Sequence, residues 1–253
     1  MHQAQRYVDL HIRPVAPNGK LSLVALSATQ ATGLSLALTR DAVDYLYSGT
    51  ISIGDAVQAV ERSLYTWATV KLYYAVFYLS RALLALNGTA LVYEGSKPFS
   101  VACAPGATPV KRDGPTHKAV LTAFASVLPN TPLLSQPIGA TPALEWLMQR
   151  REEANYTNAR FCEPSAPAHF KVIAHAGVRR SISAYMHDTS YLYTFDPQHA
   201  MLAMPIEALK EVIKLFALNG AANLISADDR RYIASLYCDK TGPLPEIVAL
   251  LKL

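Results

Sequence analysis

The stretch from Val57 to Leu86 constrains the fold more than any other part of the chain. Between Arg62 and Arg81 it carries one charge, Lys71, while Leu72, Val76, Leu79, Leu83 and Leu86 recur at helical spacing. Tyr74, Ala75, Tyr78 and Ala82 form a second row beside the first, so the apolar surface is far wider than a surface helix requires. A helix of this kind needs neighbours on several sides. It predicts the central post of a helical bundle, about 45 Å long at 1.5 Å per residue. Asp55 with Gln58 predicts a capping-box start, and Asn87-Gly88 a left-handed stop. Lys71 and Arg81 interrupt the run, so a membrane span is not expected and the post is assigned to a soluble protein.

A chain of 253 residues, 51% hydrophobic and 17% charged, can bury a real core and is too apolar to be mainly disordered. No basic, apolar, small order marks a signal peptide, and Cys103, Cys162 and Cys238 are scattered without a C-x-x-C pair. A reducing, cytoplasmic setting is therefore expected, with neither a zinc site nor a disulfide framework. There is no Walker loop, G-x-G-x-x-G or G-x-S-x-G, so the common nucleotide and hydrolase signatures are absent and no cofactor is expected. A net charge of +4 permits a nucleic-acid partner without requiring one.

Three regions are expected. Residues 1–50 form a small β or irregular segment, with strand-like runs at Tyr7–Ile12 and Leu21–Leu26 separated by Pro14, Pro17 and Asn18-Gly19. A short helix over Arg40–Tyr47 ends before Gly49. Residues 51–190 form the bundle: the post, a long proline- and glycine-rich loop over 88–115, a helix from Thr116 to about Leu128, a third from Thr141-Pro142, and a fourth over Ala168–Met186. Residues 191–253 add helices at Ile206–Leu218, Asp228–Tyr237 and Leu244–Leu251 as an extension packed on the bundle.

The chemistry is sought first at Arg150-Arg151-Glu152-Glu153-Ala154-Asn155-Tyr156. At 100° per residue, Arg151 and Asn155 project within about 20° of Leu144, and Arg150 about 120° away. A guanidinium on an apolar face needs partners. Arg151 is either a clamp for phosphate or carboxylate, or a tie to a core carboxylate such as Glu61.

The order "YYAVFYLSRALLALNG", "THKAVLTAF" and "RREEANY" resembles the HEPN superfamily of all-helical domains, and "MPIEALKEVIKLFALNGAANLI" resembles its YaaC-like branch. The resemblance covers residues 55–160, and more weakly 200–225. It implies an all-α HEPN-like bundle with a long central helix. It also implies a bacterial stress, toxin–antitoxin or anti-phage defence setting, RNA or a nucleotide as ligand, and assembly as a homodimer or with a partner protein. Many members are metal-independent ribonucleases with arginine, four to six residues, then histidine. Histidine moves the proton near neutral pH, and arginine holds the phosphoryl oxygens. Counting on from Arg151 reaches Tyr156 or Thr157 instead of histidine, and an unperturbed phenol, with a pKa of about 10, is a poor base. Arg112 and His117 satisfy the spacing, but across a Gly-Pro turn and a helix start.

The catalytic candidates are thus Arg151, Asn155, Tyr156, His117 and Arg112. Arg150, Lys171, Arg179 and Arg180 form a possible nucleic-acid-binding strip, with Tyr185, Tyr191 and Tyr193 close to it in sequence. The alternative is an ordinary solvated helix face. His169 and His175 do not share a helix face, so no metal pair is expected. Three functions remain open: a non-catalytic RNA- or nucleotide-associated module, an active metal-independent endoribonuclease, and an oligomerisation scaffold.

Overall fold

The computed structural model describes residues 2–218 and 225–252. Residues 219–224, at the end of the stretch resembling the YaaC-like branch, lie outside them. Helix dominates the described residues, and the contacts divide the chain into two compact units, 1–46 with 80–129 and 47–79 with 130–253. The units are discontinuous, because two long helices each contribute a stretch to both, and their boundaries do not fall at 50 and 190. Residues 191–253 group with the second unit.

The first unit opens with α1 (Gln3–Tyr7), a π turn (Val8–Ile12) and three short 3-10 turns, where strands were expected. The alternation at Tyr7–Ile12 misled: Ala4, Val8 and Ile12 are buried, and their spacing of four suits helical turns. The Asp41 carboxylate accepts from the backbone N–H of Gln3 (2.7 Å) and Ala4 (2.9 Å), supplying the helix-start acceptor that the local sequence lacks. Arg81, only 7% exposed, stacks its guanidinium 4.4 Å from the Tyr45 ring centroid and lines the same small cavity as Asp41.

Helix α2 (Ala28–Glu61) is 34 residues long, where a short helix at 40–47 was expected. Its capping box is Ser27 with Gln30: Ser27 N–H donates to Gln30 Oε1 (2.9 Å) and Gln30 N–H to Ser27 Oγ (3.2 Å). Asp55 and Gln58, expected to start a helix, lie inside this one. Gly49 does not end it. A Cβ there would come within 2.7 Å of Leu79, so this glycine serves a close helix approach. The post is also broken, because Ser63 takes φ 58° and separates α2 from α3 (Tyr65–Leu86). Asn87-Gly88 ends α3 as expected, Gly88 having φ 68°. By length and composition α3 could cross a membrane despite Lys71 and Arg81, but 78% of that window is buried, as in the core helix of a folded domain.

The expected loop at 88–115 holds a three-stranded antiparallel sheet, β1 (Thr89–Glu94), β2 (Lys97–Ala102) and β3 (Val110–Lys111), in that order. Gly95-Ser96 makes the tight turn between two β-prone runs. The free edge of β1 is closed by a side chain: Gln5 donates to the Tyr93 carbonyl (3.0 Å) and accepts from its N–H (2.7 Å). Helix α4 (Thr116–Val127) completes the unit within a residue of its expected span.

In the second unit, a two-residue pairing of β4 (Pro137–Ile138) with β5 (Thr141–Pro142) leads into α5 (Ala143–Glu152), which widens into a π turn (Glu153–Thr157). The expected fourth helix is split by Gly177, at φ 86°, into α6 (Lys171–Ala176) and α7 (Val178–His187). After the short α8 (Leu192–Phe195), α9 (Ala200–Leu218) starts earlier than expected, and every residue from Ala200 to Leu209 is buried. Pro205, read from sequence as a start, lies within it. Helix α10 (Ala227–Leu236), the hairpin β6 (Cys238–Asp239) with β7 (Gly242–Pro243), and α11 (Pro245–Leu251) follow.

Candidate functional site

Two of the expected residues, Arg151 and Tyr156, come together in the second unit, with Asn155 in the same turn as Tyr156. Arg151 sits in the last turn of α5, and its guanidinium carbon lies 5.6, 5.9 and 5.3 Å from the ring centroids of Tyr73, Tyr74 and Tyr156. Tyr156 and the half-buried Asn155 belong to the π turn, whose extra residue per turn shifts the chain away from the α-helical phase. Burial lowers the Arg151 pKa, but a hydrogen bond with Tyr74 and the surrounding phenols outweigh that and hold it above its ordinary value. Burial pushes the Tyr73 phenol up to about 12. The site therefore presents a permanent cation in aromatic surroundings, and neither Arg151 nor Tyr73 is suited to accept a proton near neutral pH. The expected tie to Glu61 is not observed. Among the described residues no carboxylate lies within ion-pair distance of Arg151, and Glu61 instead lines a groove with Arg179.

The expected basic strip is not continuous. Arg150 stacks 5.5 Å from the Trp146 centroid and pairs with Glu153 at 2.7 Å. Arg179 grips the β6–β7 hairpin, donating to both Asp239 oxygens (2.8 and 2.7 Å) and to the Gly242 carbonyl (2.9 Å). That bidentate bond holds the Asp239 carboxyl well below the usual carboxylate range. Lys171 and Arg180 are exposed, but the Gly177 break puts them on different helices. Arg180 shares with Lys240, Glu61 and Glu246 a groove of about 640 Å³. Tyr185 bonds His199 (2.8 Å) and packs against Tyr193, an internal cluster instead of a stacking surface.

Arg112 and His117 fall in the first unit. Arg112 is a stitch in the sheet, its N–H donating to the Pro98 carbonyl (2.8 Å) and its Nε to the buried Ser100 hydroxyl (2.8 Å). His117 is half-buried in the first turn of α4, and Gly114, at φ 85°, lies between the two. They do not share a helix.

His169 has a definite structural role. Thr69 spends its hydroxyl proton on the Tyr65 carbonyl (2.9 Å), so the His169 Nε2–H must donate to Thr69 Oγ1 (3.0 Å). Burial, with Arg150 nearby, pushes the ring from 6.5 down to about 4. The unfolded chain therefore takes up this proton first as pH falls. The stability carried by the neutral ring is whole above pH 6.5 and is lost as pH drops toward 4. Urea melts of His169→Gln should show a flatter pH dependence across that window, by at most about 3 kcal/mol. An unchanged slope would mean the ring is not buried neutral.

Sequence reasoning missed Glu163. Its carboxylate accepts from Thr66 N–H (2.7 Å) and Thr66 Oγ1–H (2.7 Å), capping the start of α3 from a position 97 residues away. No local pattern signals such a cap. It also missed Trp67 and Phe161, two half-exposed rings in edge-on contact at 5.9 Å. Among the described residues no group of three His, Cys, Asp or Glu side chains is placed to hold a metal ion. Comparison with family models, curated proteins and solved structures finds no match.

Proposed function

We propose that the chain is a HEPN-like helical module that binds RNA or a nucleotide without cleaving it. The bacterial defence or toxin–antitoxin setting, and assembly as a homodimer or with a partner protein, follow from the sequence resemblance. The observation that carries the proposal is Arg151: a guanidinium with no carboxylate in ion-pair distance among the described residues, set among Tyr73, Tyr74 and the 73%-exposed Tyr156. The exposed Tyr156 ring can stack on a base and a guanidinium pairs with phosphate, so one cluster offers both halves of nucleotide recognition. Arg151, held above its ordinary value, and Tyr73, pushed up to about 12, supply no general base near neutral pH, which argues against the nuclease alternative.

The test is a fluorescence-anisotropy titration of labelled RNA in EDTA, with gel analysis of the same samples. Intact RNA should bind, and Arg151→Ala should weaken it about tenfold while reducing the salt slope by about one. Cleavage that disappears in His117→Ala and Arg151→Ala would establish the nuclease instead.

A further inference from the structure

The face of α3 that carries Tyr74 extends beyond the Arg151 cluster. Trp67, Lys71, Tyr74 and Tyr78 recur at intervals of four, three and four residues, which places them within a sector of about 60°. Trp67 is 48% exposed, Tyr74 and Tyr78 are half-buried, and Phe161, 51% exposed, meets Trp67 edge-on. Between the rings, Lys71 pairs with Asp55 at 2.6 Å. The bonds from Thr66 to Glu163 tie the segment bearing Phe161 to the first turn of α3, so the Trp67–Phe161 pair is held in place. Arg62 and Arg160, both exposed, lie close in sequence to α3 and Phe161 and add positive charge to these segments. From Trp67 to Tyr78 the strip is about 16 Å long at the helical rise.

We infer that this strip binds single-stranded RNA by stacking bases on Trp67, Phe161 and Tyr74 while Arg151 holds the phosphate backbone. This rests on the RNA-binding reading of the Arg151 site and narrows its ligand. Every base has a π face, so rings in solvent stack on a strand with little regard to sequence, and neighbouring cations follow its backbone. A duplex hides its base faces in its own stack and cannot use the strip. A mononucleotide cannot bridge the roughly 10 Å between Trp67 and Tyr74. The competing occupant is a protein seated on Trp67, Phe161 and the 43%-exposed Leu64. Lys71 is neutralised by Asp55, but the exposed Arg62 and Arg160, and Arg151 with no carboxylate in ion-pair distance among the described residues, favour a polyanion.

Trp67 is its own probe, because Trp146 is only 8% exposed. An oligouridylate should quench Trp67 fluorescence, whereas uridine monophosphate and a matched RNA duplex should not. Trp67→Ala should weaken oligouridylate binding about tenfold with the salt slope unchanged, Phe161→Ala should weaken it less, and Trp67→Phe should retain most of the affinity. Equal binding of the monophosphate and the oligomer would overturn the inference. Trp67→Ala and Phe161→Ala binding as tightly as wild type, with Arg151→Ala still weakened, would remove the strip and leave the Arg151 reading standing. If wild type binds no RNA, that reading falls and the strip with it. Loss of self-association in Trp67→Ala, without any change in RNA binding, would make the face a protein interface.

Discussion

Truncating Tyr237 to alanine is expected to cost about 3–5 kcal/mol of folding stability, as large aromatic-to-alanine changes in well-packed cores do. The ring is fully buried and packs close to Gly54, and its hydroxyl donates to the Thr50 carbonyl at 2.7 Å. Gln58 fastens the same corner by donating to the carbonyls of Leu236 (2.9 Å) and Cys238 (2.7 Å). Tyr237→Phe keeps the packing and loses the hydroxyl, for about 1 kcal/mol. Urea melts followed by circular dichroism measure both. A loss under about 1 kcal/mol for the alanine variant would contradict the packing described around this ring.

Replacing Asp41 by alanine should cost about 3 kcal/mol, since a buried ionised acceptor serving two backbone donors contributes more than a neutral one. Asp41 is 1% exposed, and the cavity it shares with Arg81 and Tyr45, about 10 Å³, barely holds one water to replace it. Asp41→Asn keeps the shape but lacks the charge and offers one acceptor oxygen, so it should lie between wild type and alanine. Hydrogen exchange should locate the damage: the amides of Gln3 and Ala4 lose protection first. Unaltered protection there would refute the cap.

Local signals carried the helices that were legible in the sequence. Pro115 before Thr116, Asn87-Gly88, and the polar start at Asp228 each mark a terminus through residues close to it, and the structure agrees within a residue or so. Helix α2 was missed because Gly49 reads as punctuation when only its sequence is considered. Its reason, the nearness of Leu79, appears only on packing. The hairpin at 89–102 was hidden by the glycines and prolines around it, although Thr89–Glu94 and Lys97–Ala102 are β-prone on either side of a tight turn. At the candidate site, the helical period sets Arg151 on the side of Leu144, and the structure leaves it half-buried. The period could not show that Tyr73 and Tyr74 face Arg151, or that Asp239, 60 residues further on, had already claimed Arg179.

The closure of the β1 edge by Gln5 bears on the order of events during synthesis. Helix α1 is made before its partners: Asp41 lies 37 residues after Ala4, and Tyr93 lies 88 residues after Gln5. At about 5–20 residues per second, the nascent chain waits roughly 5–20 seconds for the second of these partners. Until then Val8 and Ile12, both fully buried in the finished protein, have no native place to go. Helix α1 is thus secured only after β1 has been made, and until then its apolar side chains are open to aggregation or to a chaperone.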